Sequence, residues 1–333
     1  MYKKKKVQLK DIAQEANVSV ALVSYVLNGR HTNRIKPETA ERIKEAAMRL
    51  NYQPNYFAKG LKTQKSYTIG LVLADLTNPF STQITRAIEN ELNNHQYNIL
   101  IGSTDENGDK LRNLIDVFRS RQVDGLIILP TENSEKVITE LHESGFPYVL
   151  IDRYFRDTAF NFVVNDNYFT TFSATKRLIK RGKRKIGFIT LKTNLFHISE
   201  RKRGFIEACE EAGIDITDCI VEATLEQLDK EVRAGINNIK QKYSNLDALL
   251  FSTDNLMLCG LQYAIKYKLY VENRIELMAV DEARFYNIYP SPIQYYKQPL
   301  AEMGQKAVQF LMSKIEGNKS QTIQEIVKGK LVG

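Results

Sequence analysis

The chain contains no run of about 18 apolar residues, so no segment of it can cross a bilayer as a helix. Cysteine is scarce. Cys209, Cys219 and Cys259 are odd in number and lack metal-type spacing, and they read as reduced thiols of a cytoplasmic protein. The four histidines (His31, His95, His142, His197) are scattered and form no metal motif. There is no phosphate-cradling glycine loop and no nucleophile–base pair, so an enzyme is unsupported and no cofactor is expected. The basic N-terminus is not followed by an apolar stretch, which argues against a secretory signal. No glycine-rich or proline-rich linker divides residues 68–333.

Charge, in contrast, is present and concentrated. The chain carries a net charge of +8. Residues 1–65 hold 14 Lys and Arg against 5 Asp and Glu, a local charge of +9, so the remainder sums to −1. That is the pattern of one small module neutralising phosphates. A solvated tail would account for Lys3 to Lys6 but not for the periodicity that follows. Ile12, Ala13 and Ala16 form an apolar stripe on one short helix. Asn17 stands where a tight turn needs φ > 0, and Ser19 is placed to cap a second helix. Val23, Val26 and Leu27 then recur at helical spacing. This is a helix-turn-helix, whose second helix lies in the major groove of double-stranded DNA.

From residue 68 onward, apolar runs alternate with amphipathic helices. Strands are expected at Thr68–Ala74, Asn98–Gly102, Gly125–Pro130, Tyr148–Asp152, Lys185–Thr190, Ala248–Thr253 and Glu276–Val280. Helices are expected at Phe80–His95, Asp109–Ser120, Ser134–Ser144, Tyr168–Arg181, Glu200–Ala212, Leu225–Lys242, Asn255–Lys268 and Leu300–Glu316. Such alternation means α/β architecture with parallel, doubly wound sheets.

Many short motifs in order carry a resemblance. They are Asp11-Ile12-Ala13, Val18-Ser19, Val23-Ser24-Tyr25-Val26-Leu27-Asn28-Gly29, Asn51-Tyr52-Gln53-Pro54-Asn55 and Ala58 to Leu61. Further on come Ile69-Gly70-Leu71-Val72, Asp75-Leu76-Thr77-Asn78-Pro79-Phe80, Val123-Asp124-Gly125, Ile151-Asp152-Arg153, Arg201 with Gly204-Phe205, and Gln298-Pro299. Over nearly its whole length the chain resembles the LacI/GalR family of bacterial transcription regulators. The resemblance implies a small all-α helix-turn-helix domain (1–53), a hinge helix and linker (54–65) and a two-lobed periplasmic-binding-protein-like domain (66–333). Lobe one is expected at about 66–164 and 292–320, lobe two at about 165–291 and 321–333, with crossings near Val164, Ser291 and Ser320.

For DNA, the resemblance implies that Val20, Ala21, Ser24 and Tyr25 face base edges and that Ser19, Asn28 and His31 contact phosphates. Most relatives carry Arg where Tyr25 stands; Tyr25 either meets a base or packs against the third helix. Asn55, Lys59 and Leu61 fall in the hinge helix, with Leu61 at the position of the family's minor-groove wedge. Gly60 departs from the pattern and costs about 1 kcal/mol of helix relative to Ala.

For the effector, the resemblance and the rule that ligands bind outside the carboxyl ends of strands point to the cleft between lobes. The candidate effector-binding residues are Asn78, Phe80, Asp152, Arg153, His197, Arg201, Asp254, Asn255, Asp281 and Gln298. Phe80 is either a stacking ring or a core residue, and Arg201 either clamps effector oxygens at the start of a helix or pairs with Glu200 or Glu207 on the surface. Carboxylates with an arginine suit a sugar-like effector; an acidic or purine-like effector is the alternative. Tyr295 and Tyr296 either alter the cleft wall or line a dimer face. The family's C-terminal leucine heptads are missing, so a homodimer is expected, cytoplasmic and at the nucleoid when DNA-bound. A solute receptor shares the two-lobed fold, but the helix-turn-helix argues against it.

Overall fold

The computed structural model describes residues 7–27, 35–52, 65–156, 158–272, 275–318 and 322–333. The chain divides into two compact units, 1–64 and 65–333. In the first, helices α1 (Leu9–Glu15), α2 (Val20–Leu27) and α3 (Pro37–Arg49) enclose a small core. Ile12, Ala13, Ala16, Val23, Val26, Ile43, Ala46 and Ala47 are buried in it, and Leu27 is packed against it half-buried. Asn17 adopts φ 51°, which turns the chain between α1 and α2. The Ser19 hydroxyl oxygen then accepts the Leu22 N–H at 3.2 Å, capping α2. Pro37 opens α3 at a position where its missing N–H costs nothing.

The second unit begins with β1 (Thr68–Leu73), α4 (Pro79–Asn94), β2 (Asn98–Ser103), α5 (Gly108–Ser120), β3 (Gly125–Ile128), α6 (Glu135–Glu143), β4 (Tyr148–Ile151) and β5 (Phe162–Asn165). It continues with α7 (Asn167–Lys180), β6 (Ile186–Leu191), α8 (Phe196–Glu210), β7 (Ile220–Ala223), α9 (Leu228–Lys242), β8 (Ala248–Phe251) and α10 (Asp254–Lys266). A single turn α11 (Leu269–Glu272), β9 (Glu276–Val280), β10 (Gln294–Lys297), α12 (Leu300–Ile315), β11 (Gln324–Val327) and β12 (Lys330–Val332) complete it.

Two six-stranded sheets result, in the orders β11-β5-β4-β3-β1-β2 and β12-β10-β9-β8-β6-β7. Among these pairs only β10–β12 is antiparallel. Each sheet is apolar on both faces. Ile69, Leu71 and Leu73 point to α4 and α12, where Ile84, Ile88, Val308 and Leu311 meet them. Val72, Leu126 and Ile128 point to α5 and α6, against Leu111, Ile115, Phe118 and Ile138. The second sheet repeats this, with α9 and α10 on one face and α7 and α8 on the other. Helices α7 and α8 touch closely at Gly204, where an added Cβ would lie 2.3 Å from the Tyr168 carbonyl oxygen.

Sheet membership corrects the expected lobe boundaries. The first crossing follows β5, near Val164. However, β10 pairs with β9 in the second sheet, so the second crossing lies at Gln298-Pro299 and not near Ser291. Likewise β11 pairs with β5 in the first sheet and β12 with β10 in the second, so the third lies at Lys328-Gly329 and not near Ser320. Strands β10, β11 and β12 are short and partly polar, so the apolar pattern does not reveal them. Helix α8 also starts four residues before Glu200, at Phe196. Its N-cap position is Leu195, which offers no capping side chain, whereas Ser199-Glu200 imitates a start.

Candidate functional site

On α2, Val20, Ala21, Ser24 and Tyr25 occupy one face, opposite the buried Val23 and Val26. Val20 is 46% exposed and Tyr25 42% exposed, so packing inside the three-helix core explains neither. Ser19 is exposed and its hydroxyl is engaged in the cap. Asn28, His31, Asn55, Lys59 and Leu61 lie outside the described residues.

In the second unit, a cavity of about 190 Å³ lies between the lobes, at the carboxyl ends of both sheets' strands. All ten candidate effector residues line it. Asn78 follows β1 and caps α4, its Oδ1 accepting the Phe80 N–H at 2.8 Å. Phe80 is buried in the lobe-one core and also borders the cavity. Asp152 and Asp281 follow β4 and β9, equivalent strands of the two sheets. Both adopt positive φ, 69° and 78°, a conformation Asp tolerates better than most residues. Each also donates its N–H to the neighbouring strand, to Val163 at 3.1 Å and Tyr296 at 3.0 Å. A larger hollow of about 1030 Å³ opens between α4 and residues 282–295, but none of the ten candidates borders it.

The cavity is highly charged. The Arg153 guanidinium, which is largely buried, grips Glu106 with two bonds of 2.8 and 2.7 Å. Arg201 is 2% exposed, which excludes a surface pairing with Glu200 or Glu207; Arg203 makes those pairs. Instead Arg201 Nε donates to Asn167 Oδ1 at 2.8 Å and Nη1 to the Ser252 carbonyl at 2.6 Å. Burial pushes the Asp152 carboxyl up to about 6, against the pull of Arg153 and Arg201. Burial and the like charge of Asp281 push Asp254 up to about 7. Asp281 is itself raised by burial, although Arg201 and the Gln298 amide, which donates to its Oδ1, favour its charge. His197 is held well below the usual imidazole range by burial and by the cations Arg153 and Arg201.

Four buried atoms around this cavity have no hydrogen-bond partner: Asp254 Oδ2, Gln298 Oε1, His197 Nδ1 and Arg153 Nε. The lobes also touch directly. Glu132 accepts the Asn194 N–H, and Tyr154 meets Phe196 edge-on at 5.1 Å. Among the described residues no cluster of His, Cys, Asp or Glu could hold a metal ion, and no helix is long and apolar enough to cross a membrane.

Several lining residues escaped the sequence reading: Ser81, Glu106, Glu132, Lys192, Thr193, Thr224 and Glu226. Most follow a strand of one sheet or the other, so the carboxyl-end rule, applied to every strand, would have found them. Thr224 and Glu226 needed β7, which was not recognised. Tyr296 is buried in the second lobe, neither on the cavity wall nor on an outer face, and Tyr295 borders the outer hollow.

Comparison with known proteins follows the same division. Residues 8–55 match the family described as bacterial regulatory proteins, lacI family. Residues 66–328 match the family described as periplasmic binding proteins and sugar binding domain of LacI family. The HTH-type transcriptional regulator KdgR of Bacillus subtilis is 30% identical over 95% of this chain and 94% of its own length. The probable HTH-type transcriptional regulator EndR of Paenibacillus polymyxa is 29% identical over 96% and 93%. Among solved structures, the Lac repressor dimer bound to operator and the anti-inducer ONPF superposes with a TM-score of 0.83, at 20% identity over 99% of this chain and 98% of that one. The chain therefore belongs to the LacI family of bacterial regulatory proteins: it is a DNA-binding transcriptional regulator with the family's sugar-binding domain, and not an enzyme.

Proposed function

We propose that this regulator is a homodimeric repressor whose grip on a pseudo-palindromic operator is controlled by a small neutral sugar or sugar derivative in the cleft. The carrying observation is the set of three unpartnered buried atoms on Asp254, Gln298 and His197 around one cavity, beside an Arg153 Nε that has only a long ion pair to Asp152 at 3.8 Å. Each costs roughly 1–3 kcal/mol while unpaired. A hydroxyl both donates and accepts, so a polyhydroxyl ligand satisfies carboxylate, amide oxygen, imidazole and guanidinium alike. The cations favour this over an acidic effector. Arg153 is already neutralised by Glu106, and Arg201 commits Nε to Asn167 and Nη1 to Ser252 and keeps only its other N–H groups for a ligand, while Asp152, Asp254 and Asp281, where ionised, would repel an anion. The volume of about 190 Å³ lies below the range of roughly 300–1,000 Å³ common for drug-sized ligands, which suits a monosaccharide.

Dimerisation and operator symmetry rest on the dimeric, operator-bound Lac repressor to which the fold is similar. A thermal-shift screen of neutral sugars, sugar acids and nucleobases tests the reading, since a specific ligand raises apparent stability. The hit is then added to a gel shift. Neutral sugars are expected to raise Tm and to loosen the operator. Response to sugar acids or nucleobases alone would reject this assignment of the cleft.

A further inference from the structure

A helix-turn-helix identifies its site with the side chains that the second helix offers to base edges. The strongest discriminators are those that can make two hydrogen bonds to one base: Arg or Lys to guanine, Asn or Gln to adenine. Helix α2 contains none of them. Its sequence is Val-Ala-Leu-Val-Ser-Tyr-Val-Leu, without a charged or amide side chain. Val23 and Val26 are buried against α1 and α3, which leaves Val20, Ala21, Ser24 and Tyr25 on the outer face. At the entrance to the helix, the Ser19 hydroxyl accepts the Leu22 N–H. The outer face is thus mainly methyl groups and one aromatic ring.

We infer that this regulator reads its operator through thymine methyl groups, so that the base pairs under α2 are A·T-rich and are distinguished by apolar contact. In the major groove only thymine carries a methyl group, which is the apolar feature that Val20, Ala21 and the Tyr25 ring can recognise. Such contacts supply less discrimination per base than a bidentate pair. Affinity then leans on the basic character of residues 1–65, where phosphate contacts position the helix without reading sequence. The inference requires only the DNA-binding activity of the family and is independent of what occupies the cleft.

The test uses the full chain. Sites are first enriched from random duplex DNA, and the enriched operator is then remade with deoxyuridine in place of single thymines, which removes one methyl group and keeps the pairing. At each contacted position affinity should fall about fourfold, the fold-change matching one lost buried methyl. Placing 5-methylcytosine at such a position should bind about fourfold tighter than plain cytosine, since it restores only the methyl. Tyr25→Arg, an exposed substitution whose folding is checked by circular dichroism, should enrich half-sites with a new G·C pair. Invariant G·C pairs under α2 protected from N7 methylation, or indifference to deoxyuridine at every position, overturns the inference. Failure to enrich any site overturns it too, and a Tyr25→Arg variant that selects unchanged sites removes Tyr25 from the reading face. None of these outcomes bears on the sugar assignment, which the thermal-shift screen decides separately.

Discussion

Asp254→Asn should stabilise the second unit at alkaline pH and leave it unchanged in acid. Asp254 opens α10, and its Oδ1 accepts the Asn255 N–H at 2.8 Å. Its Oδ2 is buried without a partner, and Asp281 adds a like charge. These effects push the carboxyl up to about 7, whereas an unfolded Asp titrates near about 3.9. The folded-state value lies above the unfolded one, so the folded protein holds its proton longer. The resulting penalty is absent below about pH 4, grows by about 1.4 kcal/mol per pH unit, and is complete above about pH 7. Three units correspond to about 4 kcal/mol. Asparagine keeps the bond to Asn255 and carries no charge, but it forgoes about 0.3–1 kcal/mol of attraction to the helix N-terminus. The expected net gain is about 2–4 kcal/mol at about pH 8, equivalent to several degrees in Tm at roughly 2–4 °C per kcal/mol. Thermal unfolding of both proteins across about pH 4 to 8 measures it. A Tm difference that does not change with pH, or a variant less stable at the alkaline end, would refute the reasoning.

Arg201→Ala should lower effector affinity by about two orders of magnitude, from the loss of about 3 kcal/mol of charge-assisted bonding, while effector-free operator binding stays measurable; calorimetry with the identified sugar decides it. Gly204→Ala drives a Cβ to 2.3 Å from the Tyr168 carbonyl oxygen and should cost about 3 kcal/mol or more in urea unfolding; an unchanged midpoint would mean that α7 and α8 can part freely. Operator affinity should fall steeply with salt, with a log–log slope of about −0.9 per neutralised phosphate; a flat dependence measured by gel shift contradicts phosphate-driven binding. Leu61→Ala should weaken operator binding far more than sugar binding, and equal losses would assign Leu61 to folding.

The parts of this protein that could be read from sequence are those with one strong physical signal. The α1–α2 turn needed φ > 0 and had Asn17; the capped second helix had Ser19. Strands β1, β3, β4, β8 and β9 are buried on both faces and so are continuous apolar runs. The candidates Asp152, Asp254 and Asp281 fall just beyond the carboxyl ends of such strands, and all three border one cavity. Where the signal thins, so does the reading. Strand β7 contains Glu222, and β11 is Gln-Glu-Ile-Val with two exposed positions, typical of an edge. Without β11 the third crossing falls several residues early, and the second falls early because β10, Gln-Tyr-Tyr-Lys, is an inner strand that lacks a continuous apolar run. Glu106 lies just past β2, where the carboxyl-end rule points, but its ion pair could not be anticipated: Arg153 is 47 residues away, and only the folded chain brings the two within 2.7 Å.

The two outer strands have a consequence for how the protein is made. Strand β11 closes the edge of the first sheet and β12 that of the second, and both lie within residues 324–332. Helix α12, which covers lobe one, is also translated after all the helices of lobe two. Neither lobe can therefore finish folding while the ribosome is still working through the body of the chain. Both wait for the same late segment, and they complete together. The three-helix module has no such dependence, and it is free to fold as soon as it emerges. During synthesis a nascent chain would thus carry a finished DNA-reading head on an unfinished sensor until β11 and β12 emerge and close its two sheets.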